Sequence, residues 1–272
     1  MRRATLLHLR FPFVFVLSPI FVWGAWRAPG AWSGRTTLGF LLVHLALYPG
    51  ANAFNSAYDR DTGPIGGLAR PPAVPAGLAL GSVALQGTGA VLAPLVGWTF
   101  AAAYVLLWGV FTAYSHPRTR WKRSPVLSTG AIVLGQGGLG FVLGWSAVAG
   151  GWPASDAGLL ALGVACAGVA AMYPLTQVYQ LAEDAARRDR TLAAVLGPAG
   201  VFAWGAAWFV ALAALTRALA LPILVGYAEL AALAFAALAA LRPPWTPAHA
   251  DVMRIAYANS GVFLAAMLAR WR

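Results

Sequence analysis

Carboxylates are scarce in this sequence: eight in 272 residues. Five of the eight fall in two short stretches, Asp59 with Asp61, and Glu183 with Asp184 and Asp189. Acids gathered in this way suggest oxygen ligands for a hard divalent cation. The two stretches are related. YPGANAFNSAYD begins at Tyr48 and YPLTQVYQLAED begins at Tyr173. Tyr48, Pro49, Asn52, Asn55 and Asp59 align with Tyr173, Pro174, Gln177, Gln180 and Asp184, every pair 125 residues apart. The match suggests an internal repeat.

Positions i, i+3 and i+7 share one face of a helix. Asn52, Asn55 and Asp59 therefore form one polar stripe, and Gln177, Gln180 and Asp184 form another. Carboxamides at membrane depth need partners, because lipid offers none. One solution is a polar cavity faced by both stripes; the other is hydrogen bonding between packed helices. Acids facing one another repel unless a cation joins them, and Mg²⁺ suits carboxylates and amides and bridges to phosphates. The basic loop HPRTRWKRSP holds Arg118, Arg120, Lys122 and Arg123. Lys122 and Arg123 suit phosphate oxygens, with Arg118 and Arg190 as further contacts. Most of this charge is equally explained as a topological signal. The Gly63–Leu68 segment lacks the Lys-Ser/Thr ending of a phosphate-binding loop. It reads as a flexible cover or as an ordinary turn. GQGGLG at 135–140 reads as small residues for close helix packing. His8, His44, His116 and His249 are scattered, and Cys166 is the single cysteine, so neither zinc nor a disulfide is expected.

The elements that must hold these residues are membrane helices. Hydrophobic residues make up 60% of the chain and charged residues 10%, and mean hydropathy is +0.69. A soluble domain is about 45–50% apolar and about 25% charged. That excludes a soluble enzyme, a disordered chain and a secreted disulfide scaffold. The +11 charge lies in short loops between apolar runs, so nucleic acid is not an expected partner. About nine spans are expected, near 11–28, 37–58, 77–95, 98–115, 126–149, 156–181, 192–215, 219–241 and 252–269. The runs are continuous rather than alternating, so they are helices. The basic, apolar start looks like a signal peptide but reads as the first of these helices. The repeat then covers four helices and is parallel, since spans 2 and 6 run in the same direction.

With the N-terminus in the cytoplasm, 14 basic residues fall on that side: Arg2, Arg3, Arg10, Arg60, Arg70, Arg118, Arg120, Lys122, Arg123, Arg187, Arg188, Arg190, Arg242 and Arg254. Five fall opposite: Arg27, Arg35, Arg217, Arg270 and Arg272. The bias sets the orientation and places both acidic stretches at the cytoplasmic face. Residues 1–272 are expected to form one integral-membrane domain in a membrane of the bacterial inner type, surrounded by lipid. Glu229 within span 8 and Asn259 within span 9 have no assigned role.

These residues resemble the UbiA superfamily of intramembrane prenyltransferases over nearly the whole chain. Asn55 to Gly63 resembles the family motif NDxxDxxxD, with Ser56 and Gly63 in place of two acids. Gln177 to Ala193 resembles DxxDxEGDxxxG and the Thr-Leu-Ala after it, with Gln177, Gln180 and Ala182 in place of acids. The stretch Tyr114 to Lys122 is similar to the family's basic loop. The resemblance implies an all-α bundle and Mg²⁺-dependent transfer of an isoprenoid chain from its diphosphate to a lipophilic, usually aromatic, acceptor. Asn55, Asp59, Asp61, Glu183, Asp184 and Asp189 would hold metal, and Asp59, Asp61, Asp184 and Lys122 would serve catalysis. Asn52, Asn55, Tyr58, Arg118, Arg123, Tyr173, Gln177, Gln180 and Arg190 would contact substrate, the tyrosines by facing the allylic cation. Other readings are an isoprenoid cyclase of the same superfamily, a small-molecule transporter, and a noncatalytic lipid-binding protein.

Overall fold

The computed structural model describes residues 3–241 and 246–269. Arg2, Arg242, Arg270 and Arg272, counted above, lie outside the described residues. Helices stand at all nine expected places. They are α1 (Arg3–His8, Phe11–Phe15 and Ser18–Arg27, with a 45° bend before the last piece), α2 (Gly34–Asp59), α3 (Leu78–Leu95), α4 (Trp98–Ser115), α5 (Pro125–Ala149), α6 (Asp156–Arg187), α7 (Leu192–Ala218), α8 (Pro222–Ala240) and α9 (His249–Leu268). Among the described residues, α2 to α8 are long and apolar enough to cross a membrane, and α1 makes an eighth if its two halves are one span. The ninth, α9, is long enough at 20 residues, but Asp251, Arg254, Asn259 and Ser260 make it more polar than the others. Large apolar side chains point outward, among them Trp98 at 80% and Val91 at 79% exposure. Such exposure is adverse in water and favourable in lipid.

The chain forms two compact units. The first holds the described residues up to Trp121 together with Leu139–Pro153; the second holds Lys122–Gly138 and the described residues from Ala154 on. In the first unit α1 packs on the second half of α5 through glycine. A methyl group on Gly24 would overlap the Phe141 carbonyl, and one on Gly144 would overlap the Phe21 carbonyl. Small residues let two backbones approach this closely, the usual device where no hydrophobic effect drives helices together. Phe21, Trp23, Tyr48, Phe100, Tyr104 and Phe141 fill the interior beside that contact. In the second unit Phe235 of α8 packs edge to face against Phe202 and Phe209 of α7, and Trp204 donates to the Ala170 carbonyl of α6 at 2.8 Å. Gly137 packs against Cys166 and Val169 of α6, so the 135–140 stretch serves close packing.

The repeat leaves a mark on backbone geometry. Both α2 and α6 depart from α geometry beside their Tyr-Pro pair. In α2 a π-helical stretch, Val43–Leu47, runs up to Tyr48. In α6 a 3₁₀ stretch, Pro174–Gln180, begins just after Tyr173. Proline lacks the N–H an α-helix needs and its ring crowds the preceding turn. Both helices close on an arginine in the left-handed conformation, Arg60 at φ 50° and Arg188 at φ 58°. A cation at that position also complements the negative end of the helix dipole.

Candidate functional site

In the first unit, α2 delivers its stripe as the spacing predicts. Asn55 donates to Asp59 at 2.6 Å, one helical turn away, and to Ser115 at the end of α4 at 3.2 Å. Asp59 is nearly buried and pairs with Arg120, Nη1 to Oδ1 3.5 Å. Arg120 stands at φ 41° in the loop after α4. Tyr58 lies between Phe54 and His116, with ring centroids 4.7 and 5.6 Å away. Asn52 turns to the Leu9 carbonyl of α1 at 3.5 Å. Asp61 is half-buried just past the helix end.

The break in α1 brings a further cation to this cluster. Arg10 takes a left-handed conformation at φ 53°, which splits the helix there. Its buried guanidinium donates to Ser56 at 2.6 Å and to Asn55 at 3.4 Å. The break is clamped from outside by the Gly-rich loop. Ile65 and Leu68 exchange backbone hydrogen bonds at 2.9 and 2.8 Å, and a methyl group on Gly66 or Gly67 would press on Phe13. His8 meets the Pro72 carbonyl at 3.1 Å. The segment after Asp61 is therefore a docked turn and not the flexible cover considered from sequence.

In the second unit, the 3₁₀ stretch changes what the amides do. At three residues per turn, Gln177 and Gln180 lie in line, and Gln177 turns inward. Its amide donates to the Tyr173 hydroxyl at 2.7 Å, and its carbonyl accepts from Ala193 at the start of α7 at 3.2 Å. Both ends of Gln177 are thus engaged, the amide within α6 and the carbonyl at the entry of α7, which matches the hydrogen bonding between packed helices that its sequence position left open. Gln180 is half-buried. Asp184 accepts from Thr191 at 3.2 Å, the residue whose hydroxyl also caps α7 by accepting from Ala194 at 3.4 Å. Lys122 and Arg187 act on Asp184 attractively, and Asp189 acts on it repulsively. Glu183 pairs with Arg187 at 3.4 Å, one helical turn on. Asp189 is nearly buried and pairs with Arg123 at 3.4 Å, beside a backbone bond from Arg190 to the Arg123 carbonyl at 3.2 Å. The residues Arg118 and Arg190 are exposed.

Six residues were expected to hold metal: Asn55, Asp59, Asp61, Glu183, Asp184 and Asp189. Among the described residues, no group of three Asp, Glu, His or Cys side chains forms a metal-binding cluster. Physically, the acids are few, and arginine takes up Asp59 and Asp189. The donors are nonetheless of the right kind. Mg²⁺ is commonly held by one or two carboxylates, with substrate phosphates and water completing its shell. In the second motif Glu183 is paired with Arg187, and its helical neighbour Asp184 points to another face, so one carboxylate there is the donor to consider. Sequence reasoning left out Arg10 and Arg120 as site residues, Ser115 as a partner of Asn55 and Thr191 as a partner of Asp184. An arginine with an acid partner 61 residues away gives no local signal. Glu229 pairs with Arg217 at 2.5 Å, exposed and in neither motif, and Asn259 accepts from Tyr227 at 2.7 Å.

The model of the UbiA prenyltransferase family matches residues 16–264. The chain belongs to that family. Its match spans both units and both acidic motifs. No curated protein matches the sequence. Among solved structures, a UbiA homologue from Archaeoglobus fulgidus bound to GPP and Mg²⁺ is similar at TM-score 0.72 and 18% identity, covering 98% of each chain. The same homologue bound to DMAPP and Mg²⁺ gives 0.71 and 17%, over 96% of this chain and 98% of the other. A structure described for digeranylgeranylglyceryl phosphate synthase in membranes gives 0.66 and 16%, over 98% and 97%. At these identities the likeness shows a shared fold. Family membership carries prenyl transfer in general, and the apolar helices make the chain an integral, multi-pass membrane protein.

Proposed function

We propose that this chain transfers an isoprenoid group from its diphosphate to a lipophilic acceptor within the membrane, with Mg²⁺ as cofactor. The observation that carries the reading is the pair of repeated motifs. Asp59 at the end of α2 and Asp184 in the last turn of α6 stand at equivalent positions of the repeat beside basic residues, in a chain of a prenyltransferase family. Each motif would offer metal ligands of its own, Asp59 and Asp61 in the first and Glu183 and Asp184 in the second. When bound, Mg²⁺ draws charge from the leaving diphosphate.

The chain's own residues do the rest. Lys122 offers an ammonium to phosphate oxygens as the bond to the allylic carbon breaks and charge develops there. Asn55 holds Asp59 in orientation through its 2.6 Å hydrogen bond, and Thr191 does the same for Asp184 at 3.2 Å. Tyr58, packed between Phe54 and His116, offers a ring face to the allylic cation, and cations are drawn to such faces. Tyr173, whose hydroxyl is engaged by Gln177, keeps its ring in a fixed place for the same purpose. The bias of 14 basic residues to 5 supports a cytoplasmic N-terminus and chemistry on that side. Lipid beside the helices accommodates the isoprenoid tail.

The test is release of diphosphate from a panel of prenyl diphosphates by the purified protein in lipid. Each is assayed with and without Mg²⁺ and with and without a membrane lipid extract. Release that needs both Mg²⁺ and extract, with a prenylated product, is the expected outcome. Release without extract would replace transfer by cyclisation or hydrolysis. No release across the panel, from folded protein that does not bind the diphosphates, would overturn the reading in favour of a transporter or a noncatalytic protein.

A further inference from the structure

We propose that the exposed face of α8 is the interface of a homodimer, in which Arg217 and Glu229 of each copy pair with the opposite charges of the other. Among the described residues, Glu229 is the one carboxylate well inside a span; the others lie in loops or near helix ends. It stands seven residues past Pro222, about 10 Å along α8 at 1.5 Å per residue. The turn before α8, Ala218 to Leu221, carries no polar side chain, so Glu229 lies deeper than a turn that is itself apolar. Arg217 is in the last turn of α7, where an arginine ordinarily extends towards the membrane surface. Its guanidinium instead reaches inward and donates to Glu229 at 2.5 Å.

The pair is not sheltered. The Arg217 side chain is 66% exposed and that of Glu229 51%. Lipid offers neither charge a hydrogen bond, and charged side chains within spans almost always face the bundle interior, a water-filled cavity or one another. Around Glu229 the face is apolar and open. Gly226 and Leu233 share its side of α8 at the i−3 and i+4 positions; Leu233 and the neighbouring Leu230 are exposed, and a methyl group on Gly226 would meet no atom. Exposed leucines suit lipid, but an exposed ion pair among them does not, and protein is the cover that pairs both charges. A second copy is the occupant that charge complementarity selects. Copies in one membrane share an orientation, so a two-fold axis along the membrane normal sets Arg217 of one against Glu229 of the other at matched depth, and the reverse. Each carboxylate then accepts from both guanidinium groups, since each of these has five N–H donors. The pair lies at the end of α7 remote from Thr191 and Asp184, so this inference goes beyond the prenyl-transfer reading and does not rest on it.

The experiment measures energy transfer between donor-labelled and acceptor-labelled copies of the full chain in phosphatidylcholine liposomes, over a range of protein-to-lipid ratios. The wild type is expected to dimerise. Glu229→Gln should weaken the dimer about tenfold, because the symmetry removes two ion pairs at once. Arg217→Glu, with two acids per chain, and Glu229→Arg, with two arginines, should each fail to self-associate. A mixture of the two should associate, since each then meets its opposite. A second measurement leaves both charges in place: on mild oxidation Leu230→Cys in a Cys166→Ala chain should form a disulfide-linked dimer, whereas Val91→Cys, exposed on α3, should not. A wild type that is dimeric but unaffected by Glu229→Gln, with no cross-link at position 230, overturns the proposal by placing the interface elsewhere. A wild type that stays monomeric at every ratio also overturns it, and an anionic phospholipid retained in native mass spectrometry would then assign the face to lipid.

Discussion

Replacing Gln177 by methionine isolates a structural role at a position where sequence suggested a substrate contact. The side chain is buried and makes two hydrogen bonds, to the Tyr173 hydroxyl at 2.7 Å and from the Ala193 N–H at 3.2 Å. Methionine fills the same volume and makes neither bond. In water a buried orphan donor costs about 1–3 kcal/mol. Within membranes the measured scale is smaller, averaging about 0.6 and reaching about 1.7 kcal/mol per bond, because the unfolded chain also finds partners there. Two bonds therefore give a loss of about 1–3 kcal/mol, which at about 2 kcal/mol is about thirtyfold in the folded fraction. The assay is unfolding of the purified protein in mixed micelles on titration with sodium dodecyl sulfate, followed by tryptophan fluorescence. Gln177→Glu is the control. Its carboxylate still accepts from Ala193, favoured by the positive end of α7, and the Tyr173 hydroxyl turns to donate. Combining Tyr173→Phe with Gln177→Met gives a double-mutant cycle that should return a coupling of about 0.6–1.7 kcal/mol. A Gln177→Met protein that unfolds with the wild type, or a coupling of zero, would refute the assignment of Gln177 to the fold.

Asp59→Ala and Asp184→Ala should each abolish diphosphate release while circular dichroism still reports the helical bundle; turnover retained in both would remove the acids from the chemistry. Lys122→Met should raise KM for the prenyl diphosphate by about tenfold, through loss of one charged phosphate contact, and an unchanged KM in steady-state assays would exclude that contact. Gly144→Ala should lower the melting temperature, because the added methyl meets the Phe21 backbone of α1 and overpacking costs about 1–3 kcal/mol. Equal melting of variant and wild type would show that α1 and α5 can separate at no cost. Glu229→Gln should leave turnover within about twofold, as for substitutions outside a working site; a large loss would move the Arg217 pair into the mechanism.

Composition alone made this chain a bundle of membrane helices, since 60% apolar residues in long continuous runs have no other stable arrangement. The repeat was legible because identical spacing at Tyr48 and Tyr173 survives in the linear order. The acids were legible because eight carboxylates in such a chain are conspicuous. The span count was less secure, because hydropathy ranks α9 by its polar residues, whereas its helix forms regardless of them. What the sequence could not show is which groups meet. Arg120 and Asp59 are 61 residues apart, and Arg10 reaches Ser56 only because α1 breaks at a left-handed residue. Gln177 and Asn52 align in the repeat, yet one holds α7 and the other turns to α1, since the 3₁₀ stretch rotates its side chains away from α-helical register. Periodicity and composition report on each helix and its environment, and so they determined the class of protein and the positions of its acids. The partner of each charge depends on backbone breaks and on packing between distant segments, and only the tertiary structure decided it.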